Sequence, residues 1–330
     1  MENTRNISDE ELTKTSEIIK TLWTYYGERI VGQKDLGISM LVTLMTNGHI
    51  LLESVPGLAK TTAAKVITDA VSGKFSRIQC TPDLLPSDII GTQIFNQSNN
   101  TFETKLGPVY ANFVLLDEIN RSSAKTQSAM LEAMQEKQTT IGGEIYKMPE
   151  VFMVIATQNP IEQEGTYLLA EAQLDRFLLK EKLDYPSIEE EMEVLTRIEN
   201  NAFSDNKPVL DLNDIRYLQE MRKRVYIDNE VKKYIINIIQ ATRKADKVIS
   251  PNLAKYISLG ASTRGAIAFM EASKAMALIK GRNYVTPDDI KALKYSVLRH
   301  RIELNYAAIA DEIPVEKIID AIFKEVVTPW

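Results

Sequence analysis

The sequence predicts an α/β core, a parallel sheet with helices on both faces, followed by an all-helical domain. Three observations carry that expectation. Apolar runs of strand length alternate with helical segments between residues 49 and 179. Around Tyr185-Pro186-Ser187 the texture changes, and every periodic segment beyond reads as helix. The length of 330 residues, at about 150 residues per domain, gives two domains. The expected division is 1–185 and 186–330.

The first helix is announced by a capping box of Ser8 with Glu11 and a hydrophobic staple of Ile7 with Leu12. Ile18, Ile19, Leu22 and Trp23 continue it at helical spacing. A second helix is expected over 34–45, stopping at Asn47-Gly48. Strands follow at 49–53, 75–79, 113–116, 151–157 and 177–179, with helices at 60–71 and 123–136 between them. Two hairpins interrupt this rhythm. One spans 89–105 around Asn96-Gln97-Ser98-Asn99-Asn100; the other spans 139–148 around Gly142-Gly143, a favoured pair for a tight two-residue turn. Helices are then expected at 188–200, 214–225, 229–247, 263–280, 287–297 and 315–326, with caps at Ser187, Asn213, Asp228 and Thr286.

Composition excludes several classes. Charged residues at 25% and hydrophobic ones at 44% exclude a disordered chain. The 45 acids outnumber the 39 bases, and a formal net charge of -6 argues against a nucleic-acid-coating protein. No apolar run approaches the roughly 18 to 20 residues of a membrane helix, and the polar, acidic N-terminus is no secretory signal. One cysteine allows no internal disulfide, and two histidines are too few for a Cys/His zinc cluster. A cytoplasmic location is expected. Cys80 and the methionines at 130, 134, 270 and 276 read as packing residues, and His49 as a cap or packing group at the first strand. His300, between Arg299 and Arg301, reads as part of a solvated helix face or an intersubunit contact.

The segment ESVPGLAKTT follows a strand and opens a helix. In a phosphate loop, Lys60 would reach the β- and γ-phosphates and Thr61 would ligate magnesium. N–H groups of the backbone running from Val55 through Pro56, Gly57, Leu58 and Ala59 to Thr62 would cradle phosphate oxygens. Ser54 and Ala59 replace the two glycines of G-x-x-x-x-G-K-[ST], so the segment alone reads equally as an ordinary strand–turn–helix connection. Support comes from FVLLDE, which delivers Asp117 and Glu118 at a strand's carboxyl end, where such sheets bind ligands. Asp117 would hold the magnesium hydration shell, and Glu118 would orient and deprotonate water. Asn159 ends the next strand as a neutral polar group suited to the water and γ-phosphate, or as a cap before Pro160. Arg176 either serves the site or pairs with Asp175. Arg264 lies in a helix first turn, where a cation opposes the dipole unless an anion binds beside it.

So assembled, the chain resembles the MoxR family of AAA+ ATPases from residue 30 to about residue 301. The densest blocks are GHILLESVPGLAKT, TPDLLPSDIIGT, GPVYANFVLLDEINR, KTQSAMLEAMQE, IATQNPIEQEGTY and EAQLDRFLL. The resemblance implies Walker A roles for Lys60 and Thr61, Walker B roles for Asp117 and Glu118, and sensor 1 at Asn159. It implies that Arg176 is an arginine finger acting on a neighbouring subunit's nucleotide and that Arg264 is sensor 2. Ile30 and Val31 resemble the segment that touches adenine, and Ala59 is normal in the family. The two hairpins match inserts that line the ring's pore. ATP and Mg2+, a hexameric ring, a client protein complex undergoing maturation or metal insertion, and a separate von Willebrand factor A-domain adaptor follow by the same resemblance. The sequence departs from the pattern at Ser54, where glycine is usual, at Leu168, Ala170 and Thr263, where prolines are usual, and at Cys80, often phenylalanine. Two other functions remain compatible with the residues: a nucleic-acid motor, disfavoured by the acidic balance and by a 95–101 segment without lysine or arginine, and a nucleotide-gated scaffold with little turnover.

Overall fold

The computed structural model describes residues 7–54, 60–160, 167–200 and 207–330, with the backbone alone for Lys60 and Thr61. Its strands, in chain order, are β1 (Ile50–Ser54), β2 (Phe75–Gln79), β3 (Gly91–Asn96), β4 (Thr101–Leu106), β5 (Phe113–Asp117), β6 (Gln138–Ile141), β7 (Glu144–Lys147), β8 (Met153–Gln158), β9 (Leu179–Leu183), β10 (Ile257–Leu259) and β11 (Glu303–Leu304). Among the described residues the main sheet has five strands in the order β2-β5-β8-β1-β9. Strands β2, β5, β8 and β1 run parallel, as the strand–helix alternation predicts. β5 is buried at every position, because a parallel sheet covered on both faces needs a continuous apolar run. The chain leaves β1 for β2 at one edge and, after β8, reaches β9 on the opposite side of β1. Ligands in such sheets bind beyond the carboxyl ends at this reversal.

Among the described residues the first seven helices are α1 (Asp9–Arg29), α2 (Lys34–Thr46), α3 (Lys60–Ala70), α4 (Pro86–Ile90), α5 (Ala124–Glu136), α6 (Glu171–Leu174) and α7 (Ile188–Glu199). Met130, Leu131 and Met134 of α5 pack with Val114 and Leu116 of β5 and Val154 of β8 in one buried cluster. Helix α2 stops because Asn47 adopts a left-handed conformation and returns its N–H to Leu44 and Thr43 carbonyls. Both expected hairpins are present. β3 pairs antiparallel with β4, and β6 with β7, the latter turning on Gly142 (φ 59) and Gly143 (φ 88) as a two-residue turn of the primed type requires.

The later helices are α8 (Leu212–Arg224), α9 (Asn229–Arg243), α10 (Pro251–Ala254), α11 (Thr263–Ile279), α12 (Pro287–Ala292), α13 (Lys294–Leu298), α14 (Tyr306–Ala310) and α15 (Val315–Glu325). Three details differ from the sequence reading. The helix expected from residue 214, capped by Asn213, starts two residues earlier at Leu212, with Asp211 accepting the N–H groups of Asn213 and Asp214. The segment expected as one helix over 287–297 breaks at Leu293 into α12 and α13. A two-stranded antiparallel ribbon of β10 with β11 also interrupts the helices.

The chain divides into two units, Lys20–Phe177 with Glu181–Arg216, and Met1–Ile19 with Leu178–Lys180 and Tyr217–Trp330. This grouping differs from the expected split over 186–216, and the polar ties explain why. Arg197 of α7 donates to the carbonyls of Gly27 and Glu28, and the N–H groups of Val209 and Leu210 donate to Ala70. At the start of α1, Glu11 pairs instead with Arg224 at 2.7 Å.

Candidate active site

The acid pair stands where β5 ends. Register places Leu116 beside Ala156, so Asp117 emerges next to Thr157 of β8. The Thr157 hydroxyl, fully buried, donates to Asp117 Oδ1 at 2.8 Å and accepts the Glu118 backbone N–H at 2.9 Å. One hydroxyl thus fixes both acids. Arg77 Nη2 donates to Asp117 Oδ2 at 2.5 Å from the neighbouring strand β2. Glu118 Oε2 accepts from Gln79 Nε2 at 3.1 Å and pairs with Arg121 Nε at 3.2 Å. The Glu118 backbone is left-handed (φ 58, ψ 53), a conformation that a non-glycine residue adopts at some cost and that recurs at functional sites. It turns the chain out of the strand into the 3-10 turn Ile119–Arg121.

The other candidates surround this point to different degrees. β8 lies between β5 and β1, so Asn159, just beyond β8, and Ser54, the last residue of β1, follow the acid pair in turn on one side along the carboxyl edge. Both are buried. Val55, Pro56, Gly57, Leu58 and Ala59 lie outside the described residues. The backbone of Lys60, Thr61 and Thr62 forms the first turn of α3. In the segment expected at adenine, Ile30 is buried and Val31 half-buried, and the chain passes through left-handed Gly32 (φ 65) and Gln33 (φ 48). Glycine suits the left-handed backbone at Gly32, where a side chain would be strained and would have to displace the Glu190 carboxylate. Gln33 Nε2 donates to the Asp184 carbonyl at 3.2 Å.

The two arginines are placed in different units. Arg176 follows α6 and is half-buried; its Nε is enclosed without a hydrogen-bond partner, and among the described residues it forms no ion pair with Asp175 or any other acid. Arg264 is exposed in the first turn of α11, where its N–H donates to the Ser262 hydroxyl at 3.0 Å. It belongs to the helical unit.

Sequence reasoning passed over Arg77, Gln79, Arg121 and Thr157. The signal for Thr157 was present in the strand pattern, because neighbouring parallel strands deliver their last residues to the same edge of the sheet. Arg77 and Gln79 sit two apart on β2, hence on one face, a period-2 pattern that reads as an ordinary polar strand face. His300 is corrected: it is buried rather than solvated. Arg301 is buried beside it and donates to the carbonyls of Val297 and Leu178, and Arg299 pairs with Glu316, so this cluster staples its own unit. Cys80 and His49 pack as expected. Burial pushes the Cys80 thiol up to about 12, which keeps it protonated and unreactive.

The topology, the acid pair at a strand end and the helical unit define a P-loop ATPase architecture. Residues 49–179 match the family described as "ATPase family associated with various cellular activities (AAA)", and residues 252–322 match the "AAA lid domain". The chain is 46% identical to "Chaperone MoxR1" of Mycobacterium tuberculosis over 91% of its own length and 79% of that protein's. It is 44% identical to the Bacillus subtilis protein YeaC, covering 91% of both. A crystal structure of a Cytophaga hutchinsonii protein, 45% identical, superposes with a TM-score of 0.89 over 98% of both chains. The chain belongs to the MoxR-type AAA+ ATPases.

Proposed function

We propose that the chain hydrolyses ATP with Mg2+ and uses the cycle to remodel protein complexes, in maturation or metal insertion. The observation that carries this reading is the acid pair. Asp117 is held by one buried hydroxyl and one half-exposed cation, and Glu118 follows it in a strained turn at the sheet's carboxyl edge. Buried acids kept only for stability are usually saturated with partners; these are placed at an edge and partly free to exchange them.

The residues fit a hydrated magnesium ion. Asp117 offers hard carboxylate oxygens, of whose roughly four lone pairs two are engaged. Asp117 and the Thr61 hydroxyl would hold the ion, which when bound neutralises charge on the phosphates. Lys60 and the backbone from Val55 to Thr62 would bind the phosphates, and Ile30 with Val31 would cover adenine. Glu118 takes the proton of the attacking water, which Asn159 orients. Arg176, whose Nε has no partner among the described residues, stabilises the transition state of a neighbour's nucleotide, and Arg264 engages the γ-phosphate. This division of labour needs a ring, taken to be hexameric.

The hairpins favour a protein client. Ile94, Phe95 and Phe102 on β3 and β4, and Ile145 on β7, are exposed apolar side chains, and Phe95 stacks obliquely on Phe102 at 5.3 Å. A separate von Willebrand factor A-domain protein is proposed as adaptor, and the cytoplasm as the location. The test is a paired assay. Glu118→Gln should retain ATP affinity and lose about 10²- to 10⁴-fold in turnover, the range of a positioned general base. Lys60→Ala should abolish binding. Wild-type protein without turnover at ring-forming concentrations, or Lys60→Ala with unchanged affinity, overturns the reading.

A further inference from the structure

We propose that Arg77 is a built-in competitor for the divalent cation at Asp117, a positioning residue that must withdraw before metal-nucleotide can load. This inference rests on the ATPase reading above. Its basis is the unequal hold on the two oxygens of one carboxylate. Oδ1 is held from inside by Thr157, a fully buried hydroxyl itself committed to the Glu118 N–H. Oδ2 is held by Arg77, whose side chain is 50% exposed against 12% for that of Asp117. The inner partner is fixed by two strands. The outer one is a long side chain with water on one side, and exposed pairs of this kind exchange readily. A guanidinium and a hydrated divalent cation are both positive and both seek the outer oxygen, so they exclude each other there.

The contact also reaches Glu118. Arg77 Nη2 donates to Gln79 Oε1 at 3.2 Å, and Gln79 Nε2 in turn donates to Glu118 Oε2 at 3.1 Å. Withdrawal of Arg77 takes away the donor that orients the Gln79 amide, which leaves Glu118 with Arg121 as its charged partner. Metal loading at Asp117 and release of Glu118 from Gln79 are therefore linked through one side chain. The charges balance as well: two arginines face two carboxylates, so the pair is neutralised before any cation arrives.

The test titrates Mg2+ against a fluorescent ADP analogue at fixed protein concentration, for wild type, Arg77→Met, Arg77→Gln and Arg77→Lys. Removing the competitor should lower the Mg2+ midpoint about two- to fivefold in the Met and Gln variants, the range expected of an exposed pair. Arg77→Lys, which keeps the charge, should restore the wild-type midpoint. Adding Asp117→Asn to Arg77→Met should erase the shift. Mn2+ binding followed by electron paramagnetic resonance should show the same direction of shift between the variants, without turnover. An unchanged or raised midpoint in both uncharged variants overturns the proposal. Loss of fold in both, by circular dichroism, does so too, since it would make Arg77 a structural charge rather than a displaceable one. If wild type itself shows no Mg2+-dependent nucleotide binding, the ATPase reading fails instead.

Discussion

Asp289 in the helical unit and Asp117 in the sheet unit are both buried acids paired with arginine, and their surroundings differ. The Asp289 side chain has 0% exposure and accepts from four donors: Thr286 N–H (2.9 Å), the Thr286 hydroxyl (3.1 Å), Lys280 Nζ (3.0 Å) and Arg282 Nη2 (2.6 Å). Every lone pair is used. Asp117 has two side-chain donors, one of them half-exposed. The helical unit repeats the saturated pattern in Arg301, which donates to two carbonyls, while the sheet unit repeats the open one in Glu118, with two side-chain partners at the sheet edge. Saturation marks a charge that holds the fold together, and an unfilled valence marks a charge kept for chemistry.

The largest effect that would test this distinction is at Arg176. Its Nε has no hydrogen-bond partner among the described residues, and the proposed partner of its guanidinium is a neighbouring subunit's nucleotide. Arg176→Ala should leave ATP affinity nearly intact while kcat falls roughly 10³- to 10⁵-fold, as for arginine fingers supplied in trans. Mixing it with Glu118→Gln should restore some turnover, because mixed interfaces pair an intact Glu118 with an intact Arg176. Steady-state assays across protein concentration check both points. A loss of ATP affinity, or specific activity independent of concentration, would make Arg176 a structural charge like Arg301.

Asp289 is the opposite case. Breaking a buried, fully paired acid leaves two cations without a partner, and Asp289→Ala should cost about 3–5 kcal/mol. Burial pushes the Asp289 carboxyl up, but Arg282, the Thr286 N–H and Lys280 outweigh it and hold the group below its ordinary value. An acid held below its ordinary pKa contributes stability that is fully present above that value and lost as pH falls through it. Asp289→Asn should therefore flatten the acid limb of the stability curve below about pH 4. Urea denaturation at a series of pH values measures this. At neutral pH, Asp117→Ala should cost less folding stability than Asp289→Ala, because fewer partners are stranded, and equal costs at the two sites would erase the distinction between them.

Much of this was legible in the chain. The alternation of strand and helix, the Ser187 and Asp228 caps and the two hairpins follow from local pattern, and each is a short-range feature. The position of Asp117 and Glu118 was legible because the apolar run of the strand stops on them, which puts both at the sheet's carboxyl edge. The partners were not. Arg77 lies 40 residues before Asp117 and Thr157 lies 40 after it, so their meeting depends on strand order, which no window of sequence contains. His300 misled for the same reason: two flanking arginines suggest solvent, yet their partners are carbonyls and a carboxylate supplied by distant segments.

A smaller effect lies in the sheet unit's own structural charge site, His49. Its Nδ1 accepts the Val154 N–H at 3.0 Å, so the proton is on Nε2, which donates to the Met134 carbonyl at 3.1 Å. The neutral ring is thus fully used. Burial lowers its pKa from 6.5 to about 4. Between those values the unfolded chain binds the extra proton, so stability falls as the solution is acidified, by about 3 kcal/mol over the whole window. His49→Gln should remove that slope in urea titrations between pH 7 and pH 4. A slope that persists would assign acid sensitivity to other groups and show that saturation at His49 carries little weight.

The smallest effect expected is at Ser54, where the family resemblance points to glycine. Ser54 is the last residue of β1 and is buried, so its side chain already has a place in the sheet unit. Glycine is favoured where the backbone must adopt a left-handed turn or approach a ligand closely; a strand residue needs neither. Ser54→Gly should therefore cost roughly 0.5–1 kcal/mol in folding stability through added chain entropy. Nucleotide affinity should stay within about threefold of wild type, or tighten, since a factor of three is under 1 kcal/mol. Isothermal titration with ADP and Mg2+ resolves that range. An affinity weakened more than about tenfold would place the Ser54 hydroxyl among the groups that hold phosphate. Ser54 would then join Asp117 as a side chain kept at the carboxyl edge for a ligand, rather than His49 as one kept for the fold.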